Sequence, residues 1–155
     1  ITKKFDPESD RELWENTLRC NESLVTYRYQ YRSNLELSGV LNLLLTNESN
    51  PRSLIYQILK IDYHFTNMAM QEFGLSSELP PIRKKLLEAI TKTRLCDIEE
   101  LCKLNKRSNR YVNLTDFLDE IIKLTQETST IVSEEFFNHT SNRYSMIQTP
   151  LLPEI

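Results

Sequence analysis

From Asn50 to Gly74 the chain reads NPRSLIYQILKIDYHFTNMAMQEFG. Apolar residues fall at Leu54, Ile55, Ile58, Leu59, Ile61, Phe65, Met68 and Phe73, mostly in the steps of three and four that gather side chains on one side of an α-helix. Asn50 predicts the N-cap and Pro51 the first helical position, where a missing amide costs nothing and φ is already helical. Gly74 predicts the C′ residue that ends the helix.

The same pattern extends in both directions. Upstream, Ser9-Asp10-Arg11-Glu12 has the form of a capping box. Leu13, Thr17, Leu18, Leu24, Val25, Tyr27 and Tyr31 follow in register, so one helix is expected from Asp10 to Arg32. Ser38 is the expected N-cap of a short helix through Val40, Leu41, Leu44 and Leu45, apolar almost all round and so expected to be buried. Downstream, Pro80-Pro81 opens a helix with Ile82, Leu86, Leu87 and Ile90 on one face. Residues 94–112 carry the weakest pattern: a short helix from Asp97 to Leu104 with Ile98, Leu101 and Leu104 inward, then a polar, basic loop. Asn113 is the expected cap of a last long helix with Asp116 at N3, an apolar stripe from Phe117 to Phe136, and an end near His139.

Helices with single apolar faces must bury them against each other. The expected fold is therefore all-α, an up-and-down bundle of about four to six helices. It is expected to span residues 1–145, with 146–155 as an extended tail holding Ile147, Leu151 and Leu152. Two glycines in 155 residues agree with this, since turn-dense β folds need glycine for their positive-φ positions. The chain opens Ile1-Thr2-Lys3-Lys4 without an initiator methionine, and reads as a piece of a longer protein.

Charge and composition narrow the function classes. The formal net charge of −3 does not suggest a nucleic-acid binder. The clusters Arg83-Lys84-Lys85 and Lys103, Lys106, Arg107, Arg110 sit near acidic residues and read as solvated surface. No apolar run reaches the roughly 20 residues of a membrane span. Cys20, Cys96 and Cys102 lack paired spacing, so neither a disulfide framework nor a zinc site is expected, and free thiols point to a reducing, cytoplasmic setting. The sequons at Asn21, Asn47, Asn113 and Asn138 read as accidents of an Asn- and Ser-rich composition, Asn21 falling inside a helical pattern.

Candidate chemistry is sparse. A di-iron bundle needs Glu-x-x-His on two helices, whereas His139 follows Glu135 by four residues and His64 follows Asp62 by two. No metal and no cofactor is implied. The two glycines cannot build a phosphate loop. The most unusual stretch is Tyr27-Arg28-Tyr29-Gln30-Tyr31-Arg32, where Tyr27 and Tyr31 share one helix face and Arg28 and Arg32 the next. Two guanidiniums four residues apart match a carboxylate or phosphate, while arginines paired with acidic neighbours are the plainer account. Arg52 and Ser53, at the start of the Pro51 helix, are the second candidate anion site.

Taken together these segments resemble the Alpha-E family, helical domains named for a conserved ER motif. The resemblance rests on Leu18-Arg19-Cys20, Thr26 through Arg32, Val40 through Leu45, Asn50-Pro51-Arg52-Ser53-Leu54, and Ser133 through Thr140, and covers most of residues 13–140. It lies in the C-terminal half of that domain; the ER motif is absent here, and Phe136 stands where the family has Tyr. The resemblance implies an accessory domain without catalytic activity of its own. Its setting would be a peptide synthesis or modification system built around a circularly permuted ATP-grasp ligase. The implied partners are that ligase, a transglutaminase-like protein, or the N-terminal half of the same domain. Arg28, Arg32 and Arg52, with Tyr27, Tyr31 and Ser53, would contact an anion or peptide. An alternative is half of an enzyme whose site is completed by that N-terminal half, with His139 or Tyr31 supplying acid–base chemistry.

Overall fold

A computed structural model describes residues 7–32, 34–73 and 79–134. Among these residues the fold is a bundle of seven α-helices: α1 (Pro7–Cys20), α2 (Leu24–Tyr31), α3 (Leu37–Leu41), α4 (Leu54–Phe73), α5 (Pro81–Arg94), α6 (Ile98–Leu101) and α7 (Val112–Val132). A π-turn over Asn42–Thr46 continues α3. The all-α bundle is the architecture the sequence predicts. Gly74, Phe136, His139, the tail from 146 to 155 and the boundary at 145 lie outside the described residues.

The expected helix from Asp10 to Arg32 is two helices. Glu22 adopts φ 52°, the Glu22 amide bonds the Arg19 carbonyl at 3.0 Å and the Ser23 amide bonds the Leu18 carbonyl at 2.8 Å. This is a Schellman stop, with a glutamate where glycine usually stands. Without glycine the break is silent in the sequence, and Leu24 and Val25 keep the apolar steps running across it. Asn21 therefore sits in a turn and not within a helix. Three expected caps also move. α1 begins at Pro7, so Ser9 lies inside the helix. Glu36 and not Ser38 is the N-cap of α3. α7 starts at Val112 after Tyr111, while the Asn113 side chain donates to the Glu100 carbonyl at 3.0 Å and ties α7 to α6. Asp97 does cap α6, accepting from the Glu99 and Glu100 amides.

The main core joins the three long helices. α5 is packed between α4 and α7, with Ile82, Leu86, Ala89 and Ile90 meeting Ile55 and Ile58 on one side and Ile121 and Leu124 on the other. Ion pairs flank the seam: Arg83–Asp62 at 3.1 Å to α4, and Lys85–Glu127 and Lys92–Glu120, each at 2.6 Å, to α7. As residue numbers rise along α5 they fall along α7, so the two run antiparallel. The α7 stripe is only partly covered: Ile121, Leu124 and Thr128 are buried, while Leu118 and Ile122 are exposed.

A second cluster, Leu18, Tyr27, Val40 and Leu43, seals α1 and α2 onto α3. Tyr27 is its largest member and is 2% exposed. Its hydroxyl accepts from the Glu36 amide at 3.2 Å and donates to the Asn34 carbonyl at 3.4 Å. The phenol thereby takes the amide of the N-cap residue, one of the orphan donors at the entry to α3. Gly39 permits the approach, since a Cβ there would lie 2.7 Å from the Tyr27 oxygen. Gly39→Ala is therefore expected to cost about 1–3 kcal/mol in urea denaturation, the usual range for overpacking. Its cost should shrink in a Tyr27→Phe background, because the oxygen it strikes is gone.

Candidate functional site

α2 has two unlike faces. Tyr27 and Tyr31 turn inward and stack with ring centroids 4.8 Å apart and planes 22° apart. Burial, and then Tyr27, push the Tyr31 hydroxyl above the usual phenol range, so it stays protonated near neutrality and serves poorly as a general base. Val25, Arg28 and Tyr29 are exposed and share the opposite face of the helix, and the exposed Arg32 follows as its C-cap.

Arg28 leads back to α1. Its guanidinium lies 3.5 Å from Glu15 Oε1, and Arg19 holds the same oxygen at 2.7 Å. The Arg19 hydrogen bond, with Arg19, Arg28 and Arg11 adding their charge, holds the Glu15 carboxyl below the usual carboxylate range against a smaller opposing effect of desolvation. Arg32 ends α2 in the left-handed region at φ 44°. Arg11, Glu15 and Arg19 stand four residues apart on one face of α1, a spacing legible in the sequence. That α2 folds back to add Arg28 depends on the Glu22 turn.

Arg52 belongs to a different cluster. It pairs with Glu22 at the α1–α2 turn. Arg28 and Arg52 thus hold different carboxylates, Glu15 and Glu22, and the two candidate stretches lie in two clusters. Around Arg52 the loop is knitted by its own polar groups. The expected helix start at Asn50-Pro51 is a turn, and Ser53 is the residue that caps α4, its Oγ accepting from the Tyr56 amide at 3.2 Å. Ser53 Oγ also donates to the Asn47 carbonyl at 2.6 Å. Asn50, 4% exposed, donates to the Leu43 carbonyl at 3.0 Å and to Ser23 Oγ at 3.4 Å, and accepts from the Arg52 amide. Asn47 Nδ2 reaches Gln30 Oε1 on α2 at 3.1 Å. The Asn-Pro-Arg-Ser run is therefore a junction joining α2, the π-turn and α4.

His64 is exposed on α4, its ring edge-on to Tyr63 at 5.7 Å. Cys96 and Cys102 are half-buried, and burial pushes both thiols up, which keeps them protonated and weakly nucleophilic. Among the described residues no three His, Cys, Asp or Glu side chains gather as metal ligands would, and no helix is long and apolar enough to cross a membrane.

The model of Alpha-E, a predicted alpha-helical domain with a conserved ER motif, matches residues 2–137. The chain belongs to the Alpha-E family. Neither a curated protein nor a solved structure matches it. Within this Alpha-E chain the buried and the exposed members of the Arg52 junction should respond differently to mutation. Asn50→Ala takes the side-chain donor from the Leu43 carbonyl in the interior, while Ser23 Oγ keeps its bond to the Asn21 carbonyl, and is expected to cost about 1–3 kcal/mol in a denaturation midpoint series. Arg52→Ala, removing an exposed pair, should leave that midpoint nearly unchanged.

Proposed function

We propose that this Alpha-E chain is a non-catalytic helical accessory domain that binds a protein of a circularly permuted ATP-grasp peptide ligase system. The observation that carries the reading is apolar side chains left exposed in helical register on the two outer helices of the main core. Leu118 and Ile122 stand one turn apart on α7, and Ile61 and Met68 two turns apart on α4. Such a surface gains free energy when a partner helix covers it. The partner we propose is the ATP-grasp ligase or a transglutaminase-like protein, and the setting cytoplasmic, in keeping with three free thiols. In this reading Arg28 and Arg32 contact an anionic or peptide group, with Tyr27 and Tyr31 fixing the helix that carries them. Arg52 and Ser53 serve the junction beside them.

Calorimetric titration of the purified ligase into the purified chain tests this. A complex is expected at micromolar concentrations, weakened by about tenfold or more in the Leu118→Asp, Ile122→Asp double variant, the scale of losing a buried apolar anchor. No complex, or one indifferent to both substitutions, would overturn the reading. Tight binding instead to an N-terminal Alpha-E segment carrying the ER motif would favour the alternative of a helical enzyme completed by that half.

A further inference from the structure

We infer that the α1–α2 surface around Arg19 and Arg28 is a docking site for an acidic peptide, whose carboxylates replace an internal one, Glu15. This deepens the interaction-domain reading and rests on it for biological context, but its geometry stands apart from the exposed apolar positions of α4 and of α7. Both guanidiniums converge on a single oxygen, Glu15 Oε1, at 2.7 and 3.5 Å. One carboxylate shared in this way leaves most of the donors of two planar forks directed at solvent. The arginine side chains are 62% and 68% exposed while Glu15 is 29% exposed, so the charge a partner meets first is positive. Glu15 also shows that the spacing accommodates a carboxylate.

The surroundings select a peptide. Val25 and Tyr29 are 79% and 80% exposed on the α2 face that bears Arg28. They offer apolar and aromatic contact beside the cations, as a peptide with acidic and apolar side chains requires. A phosphodiester backbone fits less well. Its charge repeats at every residue, whereas a peptide alternates charge with apolar side chains that Val25 and Tyr29 can meet. The resting Glu15 contact then acts as an internal competitor that keeps the arginines extended and lowers affinity for weak anions.

Fluorescence anisotropy with a labelled peptide alternating Glu and Leu, and its Gln-for-Glu counterpart, tests the site. The acidic peptide is expected to bind, its neutral counterpart not, and affinity to fall with added salt. Arg19→Gln and Arg28→Gln should each weaken binding by about threefold, the scale of an exposed charge contact. Glu15→Gln, which removes the competitor, should tighten it, with circular dichroism confirming that each variant folds. The Leu118→Asp, Ile122→Asp variant should bind the peptide normally, which separates this site from the ligase contact. Weaker binding in Glu15→Gln would mean that Glu15 only positions the arginines and would overturn the docking site. So would arginine-dependent binding of an RNA oligomer or of phosphatidylserine vesicles without binding of the acidic peptide.

Discussion

The placement of α2 depends on one buried phenol. Tyr27 is packed among Leu18, Val40 and Leu43, stacks on Tyr31, and joins the extended segment before α3 through both its donor and its acceptor. A tyrosine buried this deeply must find both an acceptor and a donor for its hydroxyl, and the Asn34 carbonyl and Glu36 amide supply them. The two needs are met together only if Gly39 lets α3 close to within contact of the ring. Because the inner face of α2 is fixed in this way, its outer face, with Val25, Arg28 and Tyr29, is fixed too. The surface argued to bind a partner is thus set by packing on the far side of the same helix.

The turn at Glu22 does complementary work. A left-handed glutamate is less comfortable there than glycine by about 1 kcal/mol. Three things offset that cost: the Schellman hydrogen bonds, the burial of Ser23 beside Asn50, and the Arg52 ion pair. The first two are interior contacts and carry more weight than the exposed pair. The Asn-Pro-Arg-Ser run acquires its meaning here. Asn50 and Ser53 bind α4 to the α1–α2 corner, and Arg52 reaches across the surface to the residue whose backbone is strained.

Much of the fold was legible because apolar spacing reports which face of a helix is buried, and burial dominates stability. The buried Ile55 and Ile58 of α4, Ile82, Leu86 and Ile90 of α5, and Ile121, Leu124 and Thr128 of α7 follow from it, while Ile61, Met68 and Leu118 share the spacing and stay exposed. What was not legible shares one cause. The break at Glu22 beside Ser23 and Asn50, the shift of capping from Asn50 to Ser53, and the start of α3 at Glu36, whose amide reaches the Tyr27 phenol, all involve contacts beyond one helical turn. A cap is a local preference of about 1 kcal/mol, small enough for tertiary packing to redirect. Tyr27 and Tyr31 were singled out for their residue type, and their role in the structure is packing. Arg28 stands out in the sequence as a candidate anion contact or a partner of acidic neighbours, but its companions Arg19 and Glu15 are identified only once α2 is seen to fold back on α1.

The two exposed surfaces differ in what each can contribute to association. The exposed apolar positions of α4 and those of α7 supply apolar area, which gives affinity in proportion to the water it releases and little orientation. The arginine surface supplies charge in a fixed fork geometry, which steers encounter and selects among partners but adds modest affinity where solvent screens it. An accessory domain that used only the first would bind indiscriminately, and one that used only the second would bind weakly at cellular salt. The chain carries both, on helices belonging to different hydrophobic clusters. In the proposed reading, a partner body is held by the main core's outer helices while an acidic segment is tested against α1 and α2.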